Sequence, residues 1–251
     1  MYMHQQLKMK GVIQLTMVGK TIIVAGATGG IGEGVTKLLL QHGATVVALG
    51  RSKNKLEDLR LYLSDIKAGD LITIQADIDQ DREYGLKLHD SLDEKFGPID
   101  GAVITIGNWG NANTRLLDVS DQLWTQTIQD NLTSHFRALR ILVPLLKQDG
   151  ALIHLSGLSA DSPYPGAGVI GLTNAAKKSL VLTMAVEQGT TGPRIYELII
   201  GPIRTRERMA RGAAQANWYD PEDIGGFISE LIQGNTAASQ TPLHYMVQRG
   251  E

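Results

Sequence analysis

A single doubly wound α/β domain, about seven parallel strands with helices on both faces, is the fold class this chain predicts. Three observations predict it. Short β-branched apolar runs alternate with amphipathic helical stretches from end to end, the order that gives a parallel sheet covered on both sides. The chain has 251 residues with 43% apolar side chains, enough for one large core and close to the size at which single cores stop growing. Its 28 glycines and 5% aromatics suit tight backbone turns between strands of Val, Ile and Leu.

Thr21–Ala25 (TIIVA) is a buried-strand run that leads directly into glycines. A helix is expected over Gly32–His42, with Val35, Leu38, Leu39 and Leu40 in one apolar stripe and Gly43 at its stop. Further strands are expected at Thr45–Leu49, Leu71–Gln75, Gly101–Ile106, Ala151–Leu155, Arg194–Ile200 and Leu243–Val247. The intervening helices are expected at Lys53–Leu63, Asp81–Phe96, Ser120–Leu146, Gly171–Glu187 and Pro221–Gln233, the last with proline in its first turn. Right-handed crossovers then place the ligand crevice beyond the C-terminal ends of the strands. Residues 1–17 read as an N-terminal extension, and 18–251 as one Rossmann-type domain without repeats or linkers.

Lys and Arg total 24 against 26 Asp and Glu, with no long run of either sign, so the clustered charge of a nucleic-acid binder is lacking. Cysteine is absent, which excludes disulfides, a thiolate nucleophile and Cys-ligated metals; no metal site is expected. No apolar run approaches the ~20 residues of a membrane span, and Met1 to Lys10 lacks a signal-peptide core. A cytoplasmic location with no membrane partner is expected.

Gly26-Ala27-Thr28-Gly29-Gly30-Ile31-Gly32 joins the first strand to the first helix. Glycines there let backbone approach a pyrophosphate, and the helix N-terminus supplies free N–H donors and partial positive charge. At the end of the second strand Leu49-Gly50-Arg51-Ser52 offers a cation where an acid would hold a free ribose 2′-hydroxyl, so NADP(H) is expected in preference to NAD(H). Asp77, followed by Ile78, either accepts from the adenine amino group or caps a helix.

Together these residues resemble the short-chain dehydrogenase/reductase family, over about Lys20 to Gly250. The family's Thr-Gly-x-x-x-Gly-x-Gly turn is matched by Ala25, Gly26, Gly30 and Gly32, with Ala in place of Thr. Asp77-Ile78, Asp100, Asn131-Leu132 and Pro221-Glu222-Asp223-Ile224 match further family positions. Gly201-Pro202-Ile203-Arg204-Thr205 is similar to the segment of enoyl carrier-protein reductases; the resemblance implies that Gly201, Ile203 and Thr205 face the nicotinamide end and the phosphates. Ile106 and Gly107 fall in the family's Asn-Asn-Ala-Gly segment, of which only the glycine survives. The resemblance also implies a homodimer or homotetramer built through the fourth and fifth helices.

The family's chemistry uses a Ser, a Tyr and a Lys four residues after the Tyr. Counting back thirteen residues from Ile200 gives Glu187, and thirteen more gives Asn174. That ungapped register puts Asn174 at the Lys position facing the cofactor, Ile170 at Tyr and Gly157 at Ser. A competing register reads Thr173 to Lys177 as Tyr-x-x-x-Lys, but needs a deletion that turns the helix by about 60°.

Nearby residues offer substitutes. Tyr164, flanked by Pro163 and Pro165, is either a phenol over the nicotinamide or part of a rigid turn. Lys178 either reaches back toward the ribose or is a solvated surface lysine. Ser156 and Ser159 could hold a substrate oxygen or cap the strand end, and His154 reads as a core imidazole rather than a base. Asn131 is the family catalytic residue retained, though a helix Asn can instead bridge backbone. Arg206, Arg208 and Arg211 read as a solvated helix face rather than as ligands of an anionic substrate. The expected function is NADP(H)-dependent hydride transfer to or from a carbonyl, alcohol or enoyl small molecule of unknown identity. The alternative is a non-catalytic NADP(H)-binding sensor or partner subunit.

Overall fold

The computed structural model describes residues 16–109 and 113–249. Seven strands form one sheet in the order β3-β2-β1-β4-β5-β6-β7. They are β1 Thr21–Ala25, β2 Thr45–Gly50, β3 Asp70–Gln75, β4 Ile99–Ile104, β5 Leu146–Gly157, β6 Arg194–Ile200 and β7 Leu243–Met246. Every neighbouring pair is parallel. The helices are α1 Gly30–Gln41, α2 Lys53–Tyr62, α3 Arg82–Phe96, α4 Asp121–Ile128, α5 Ser134–Leu142, α6 Gly168–Gln188, α7 Arg206–Ala210 and α8 Pro221–Gln233.

Period-two alternation sends successive β1 residues into two apolar layers. Ile22 and Val24 pack with Val35 and Leu39 of α1 and Ile224 and Ile228 of α8. Ile23 and Ala25 lie in the opposite layer with Leu88 of α3, Leu139 of α5 and Val181 of α6. Strand order reverses between β1 and β4, so the chain runs outward from the middle twice and leaves a crevice above that pair.

Several boundaries differ from expectation for identifiable reasons. β4 ends at Ile104 because Thr105 turns its hydroxyl back onto the end of β1. The single helix expected over Ser120–Leu146 is broken by a π turn at Gln129–Thr133 and a 3-10 turn at Val143–Leu145, where Pro144 supplies no donor. α6 starts three residues before the expected Gly171, and α7 was not foreseen. Met17, assigned by sequence to the extension, is fully buried and its N–H donates to His42 O at 2.7 Å. Residues 1–15 lie outside the described residues. α6, at 21 residues and mean hydropathy 1.2, has the length and composition of a membrane span, which the reading of apolar runs had not found. Here it packs along β5 and β6 and carries Lys177 and Lys178.

At the opposite end of the sheet from the crevice, Asp100 is buried and accepts from Lys20 Nζ at 3.0 Å, Thr21 N–H at 3.0 Å and Lys147 Nζ at 2.9 Å. Burial alone would raise its carboxyl, but these bonds outweigh it and hold the group below the usual carboxylate range. Its stabilising contribution is therefore present above the unfolded-state value near ~4 and is lost as pH falls through the lower folded-state value. Asp100→Asn is expected to lower unfolding free energy by about 1–2 kcal/mol at pH 7, discounted for the half-exposed lysines. Urea titrations of both proteins should converge as pH drops below ~4.

Candidate functional site

The crevice floor is the turn between β1 and α1. Gly26 has φ +87°, and a side chain there would put its Cβ 2.9 Å from Ile106 N, so the turn runs directly against the loop after β4. Thr105 Oγ1 donates to the carbonyl oxygens of Ala25 and Gly26, at 3.0 and 3.1 Å, and fastens the turn in place. Gly29 is extended at the N-cap of α1 and provides no side-chain acceptor. Gly29 and Gly30 are exposed, with Thr28 and Ile31 half-buried beside them. An uncapped helix N-terminus with exposed glycines matches the donor set that a pyrophosphate needs.

At the end of β2 the Arg51 side chain is exposed, and among the described residues its guanidinium has no acceptor. Its carbonyl accepts from Gln75 Nε2 at 3.1 Å, which holds the backbone while the cation stays available. Ser52 caps α2, its Oγ accepting from Lys55 N–H at 3.3 Å. Asp77 is not a helix cap: its Oδ1 accepts from Asp79 N–H at 3.3 Å, and α3 is capped instead by Asp81. Ile78 buries its side chain in the core, leaving only backbone for an adenine.

The segment after β6 closes the other side. Gly201 is required by packing, since a Cβ there would overlap the Val247 carbonyl. Ile203 turns its side chain into the core, and its carbonyl accepts from Arg208 Nη1 at 3.1 Å, so only its backbone lies toward the crevice. Thr205 caps α7 through Oγ1 and presses its side chain over Gly30, where a Cβ would lie 2.8 Å away. Arg206, Arg208 and Arg211 lie on an exposed face, as the sequence reading has it, and each makes a contact there. Arg206 donates to Glu33 at 2.8 Å and sits 4.3 Å over the Tyr62 ring, Arg208 lies over Trp218, and Arg211 pairs with Glu207. Arg206 thereby ties this segment to α1 and α2.

The C-terminal end of β5 meets the start of α6. A Cβ on Gly157 would lie 3.0 Å from Asn174 Nδ2, which donates to Ser159 Oγ at 2.8 Å. Asn174 and Gly157 thus face each other across the junction of β5 and α6. Ile170 is buried beside Ala167, and with Trp109, Leu123, Thr127 and Gly168 it lines a shallow apolar groove. Gly107 is exposed with open space beside it, and Ile106 is half-buried.

Three of the four catalytic candidates are directed elsewhere. Ser156 points down into the core and donates to Glu197 Oε1; Ser159 is the hydroxyl beside Asn174. Lys178 donates to Asp161 Oδ1 at 2.5 Å and to Tyr245 OH at 3.2 Å instead of reaching the ribose. Asn131 spends its amide on protein: Oδ1 accepts from Asn108 N–H at 2.9 Å and Nδ2 donates to Thr127 O at 3.3 Å, anchoring the loop after β4. Tyr164 remains, 58% exposed, edge-on to Trp109 with ring centroids 5.8 Å apart. Among the described residues its phenol has no partner.

Beneath lies a buried polar cluster in which only His154, read as a core imidazole, and Lys177, reached by the disfavoured register, drew notice from the sequence. Lys177 of α6, Glu197 of β6 and His135 of α5 are buried together with His154, whose ring is hydrogen-bonded on both sides. Burial brings Lys177 down to about 8 against the opposing pull of Glu197, and burial, Lys177 and His154 hold His135 well below the ordinary imidazole range. The available signal was the glutamate inside the apolar run Arg194–Ile200.

Comparison with known proteins identifies the family of this fold. The family model described as enoyl-(acyl carrier protein) reductase matches residues 26–223, and the chain belongs to that short-chain dehydrogenase/reductase family, whose members bind nicotinamide cofactors. An uncharacterised oxidoreductase of Listeria innocua is 29% identical over 75% of each chain. A 3β-hydroxysteroid dehydrogenase of Mediterraneibacter gnavus is 29% identical over 88% of this chain and 84% of its own. Among solved structures, L-sorbose reductase from Gluconobacter frateurii with NADPH and L-sorbose superposes at TM-score 0.82, with 20% identity over 95% and 98% of the two chains. An NADPH-bound short-chain oxidoreductase of Pseudomonas aeruginosa, described as containing an atypical catalytic centre, superposes at 0.79 with 20% identity over 92% and 96%. The chain is therefore an oxidoreductase of the short-chain type.

Thr105→Val removes the hydroxyl tie between the β4 loop and the glycine turn and leaves the Ala25 and Gly26 carbonyls with one donor fewer. It is expected to cost about 1–2 kcal/mol in urea unfolding, with amide exchange speeding up locally at residues 26–30.

Proposed function

We propose that the protein is an NADP(H)-dependent oxidoreductase with a non-standard active site, acting on a carbonyl, alcohol or enoyl small molecule. The observation that carries this reading is the pairing of an uncapped α1 N-terminus, at the glycine turn, with the Arg51 cation at the end of β2, which has no acceptor among the described residues. The first suits a pyrophosphate and the second a ribose 2′-phosphate. Two structural neighbours carry NADPH, one of them described as having an atypical centre, so the fold accommodates both features.

When bound, NADPH supplies hydride to the substrate. The residues that would hold and orient it are Gly29, Gly30 and Ile31 through backbone N–H groups, Arg51 and Ser52 at the ribose end, and Asp77 through a carboxylate oxygen toward the adenine. Gly157, Ile170 and Asn174, at the positions where the family places Ser, Tyr and Lys, carry no group able to exchange a proton near neutral pH. Proton delivery therefore falls to Tyr164 or to water. Ile170 and Trp109 line a groove suited to an apolar substrate body. We place the protein in the cytoplasm, and as a homodimer or homotetramer through α4, α5 and α6. The exposed Phe136, Leu172 and Val186 support that oligomer, which light scattering would count.

Calorimetric titration should give micromolar NADPH binding and NADH binding at least tenfold weaker. Arg51→Ala should lower NADPH affinity by about tenfold, roughly 1.4 kcal/mol, and leave NADH unchanged. An unchanged affinity ratio would overturn the cofactor preference. Tyr164→Phe should slow NADPH turnover of a screened carbonyl by about a hundredfold. Tight binding without turnover of any carbonyl or enoyl compound would instead favour a non-catalytic NADP(H)-binding subunit.

A further inference from the structure

Between the sheet and helices α5 and α6 lies a chain of polar groups inside a layer of Leu, Ile and Val. His154 and Ser156 come from β5, Glu197 from β6, His135 from α5 and Lys177 from α6, none more than 5% exposed. Strand register pairs His154 with Glu197, and Ser156, two residues on, shares their face. Buried polar groups persist only where they satisfy one another, and here the donors and acceptors can be followed in sequence.

Glu197 accepts from His154 Nδ1–H at 2.6 Å and from Ser156 Oγ–H. A neutral His154 then has only an acceptor at Nε2, which takes His135 Nδ1–H at 2.7 Å. A neutral His135 is left with a bare Nε2, and that atom has no hydrogen-bond partner among the described residues. Burial holds this ring below its usual range, and the backbone of Ile106 opposes that effect only weakly. One added proton can be carried along this chain, with both His154 nitrogens donating and His135 Nδ1 accepting. Lys177 stands beside this chain, within electrostatic reach of Glu197 and His135, and among the described residues its ammonium makes no hydrogen bond. Helical side chains lean toward the N-terminus, which carries Lys177 toward the turn of Thr173 and Asn174, under Gly157.

Charge accounting gives this arrangement a use. A charged Lys177, an ionised Glu197 and two neutral rings sum to zero, and loss of one proton leaves −1. A nicotinamide ring is neutral when reduced and positive when oxidised. We propose that Lys177, His135, His154, Glu197 and Ser156 form a buried proton store beneath the nicotinamide end of the crevice, holding one more proton under the reduced dinucleotide than under the oxidised one. This rests on the dinucleotide reading above. In carbonyl reduction the hydride forms the new C–H bond while the C=O electron pair moves to oxygen. The store surrenders one proton to that oxygen through intervening water, giving the alcohol and leaving a negative cluster under a positive ring. Solvent returns the proton when the oxidised dinucleotide leaves.

The titratable groups coupled to Lys177 are Glu197 from β6 and His135 from α5, and His154 from β5 is hydrogen-bonded to both of them. Charged groups elsewhere on its neighbouring elements are engaged: Asp161 with Lys178 and Tyr245, and Asp130 with the amides of Gln126 and Asn108. With Lys177 brought by burial to about 8, its proton is exchangeable near neutral pH.

The experiment is calorimetry of the full chain with NADPH and with NADP⁺ at pH 8, each in two buffers of different ionisation enthalpy, which counts protons exchanged on binding. The 2′-phosphate titrates near ~6 in both dinucleotides and cancels in the difference. NADP⁺ is expected to release about half a proton more than NADPH at pH 8, the excess fading toward pH 6 and pH 10 where the store is full or empty in both complexes. Lys177→Met should remove the excess while NADPH still binds within about threefold of its original affinity. The paired variant Lys177→Met with Glu197→Gln, which buries no lone charge, should do the same if the single variant fails to fold. Equal proton counts for the two dinucleotides in the unmodified protein, or an excess that survives either variant, would overturn the proposal. Binding of neither dinucleotide would overturn the cofactor reading itself, an outcome separate from binding without a proton difference.

Discussion

Parallel pairing of β1 with both β2 and β4 is the constraint on which the rest of this structure depends. Because the chain must run outward from β1 to β3 and then return to start β4, the loops after β1 and β4 diverge to opposite faces and leave open backbone between them. The glycine turn, the Thr105 tie and the uncapped start of α1 all occupy that gap. Loss of register there would displace the Gly26 turn from Ile106 and Thr105, against which it packs with no room for a side chain.

The second dependency is the packing of α5 and α6 over β5 and β6. An apolar layer would have met every requirement of folding at lower electrostatic cost, since buried ion pairs repay their desolvation only with good geometry. The layer instead contains a carboxylate, two imidazoles, a hydroxyl and an ammonium in adjoining positions. Low local dielectric strengthens each bond in such a chain and makes its proton content sensitive to a charge brought near it. That sensitivity links the core of the domain to whatever charge the crevice holds.

Asn131 shows how one residue type serves different ends in one fold. In the sequence it stands as a retained catalytic position. In the structure its amide fastens the loop after β4 to the π turn, and the loop in turn presents Trp109 to Tyr164. Ser156 and Lys178 were misplaced for related reasons. Ser156 lies one residue from Gly157, and alternation in a strand sends neighbouring side chains to opposite faces. Lys178 lies one residue from Lys177, and the 100° between successive helix positions separates a buried ammonium from one paired with Asp161 at the surface.

By itself the sequence determined the fold class, the strand and helix order, the glycine turn and the cation at the end of β2, because these follow from local periodicity and from backbone freedom at glycine. Its ungapped register proposes Gly157, Ile170 and Asn174 for the positions where proton-transfer chemistry is expected. Only the tertiary structure decided which hydroxyl, which lysine and which histidine face one another. Those contacts join α5, α6, β5 and β6, elements that span more than sixty residues of chain from His135 to Glu197. Their direction depends on strand register and helix rotation, and neither is encoded by spacing within any single element.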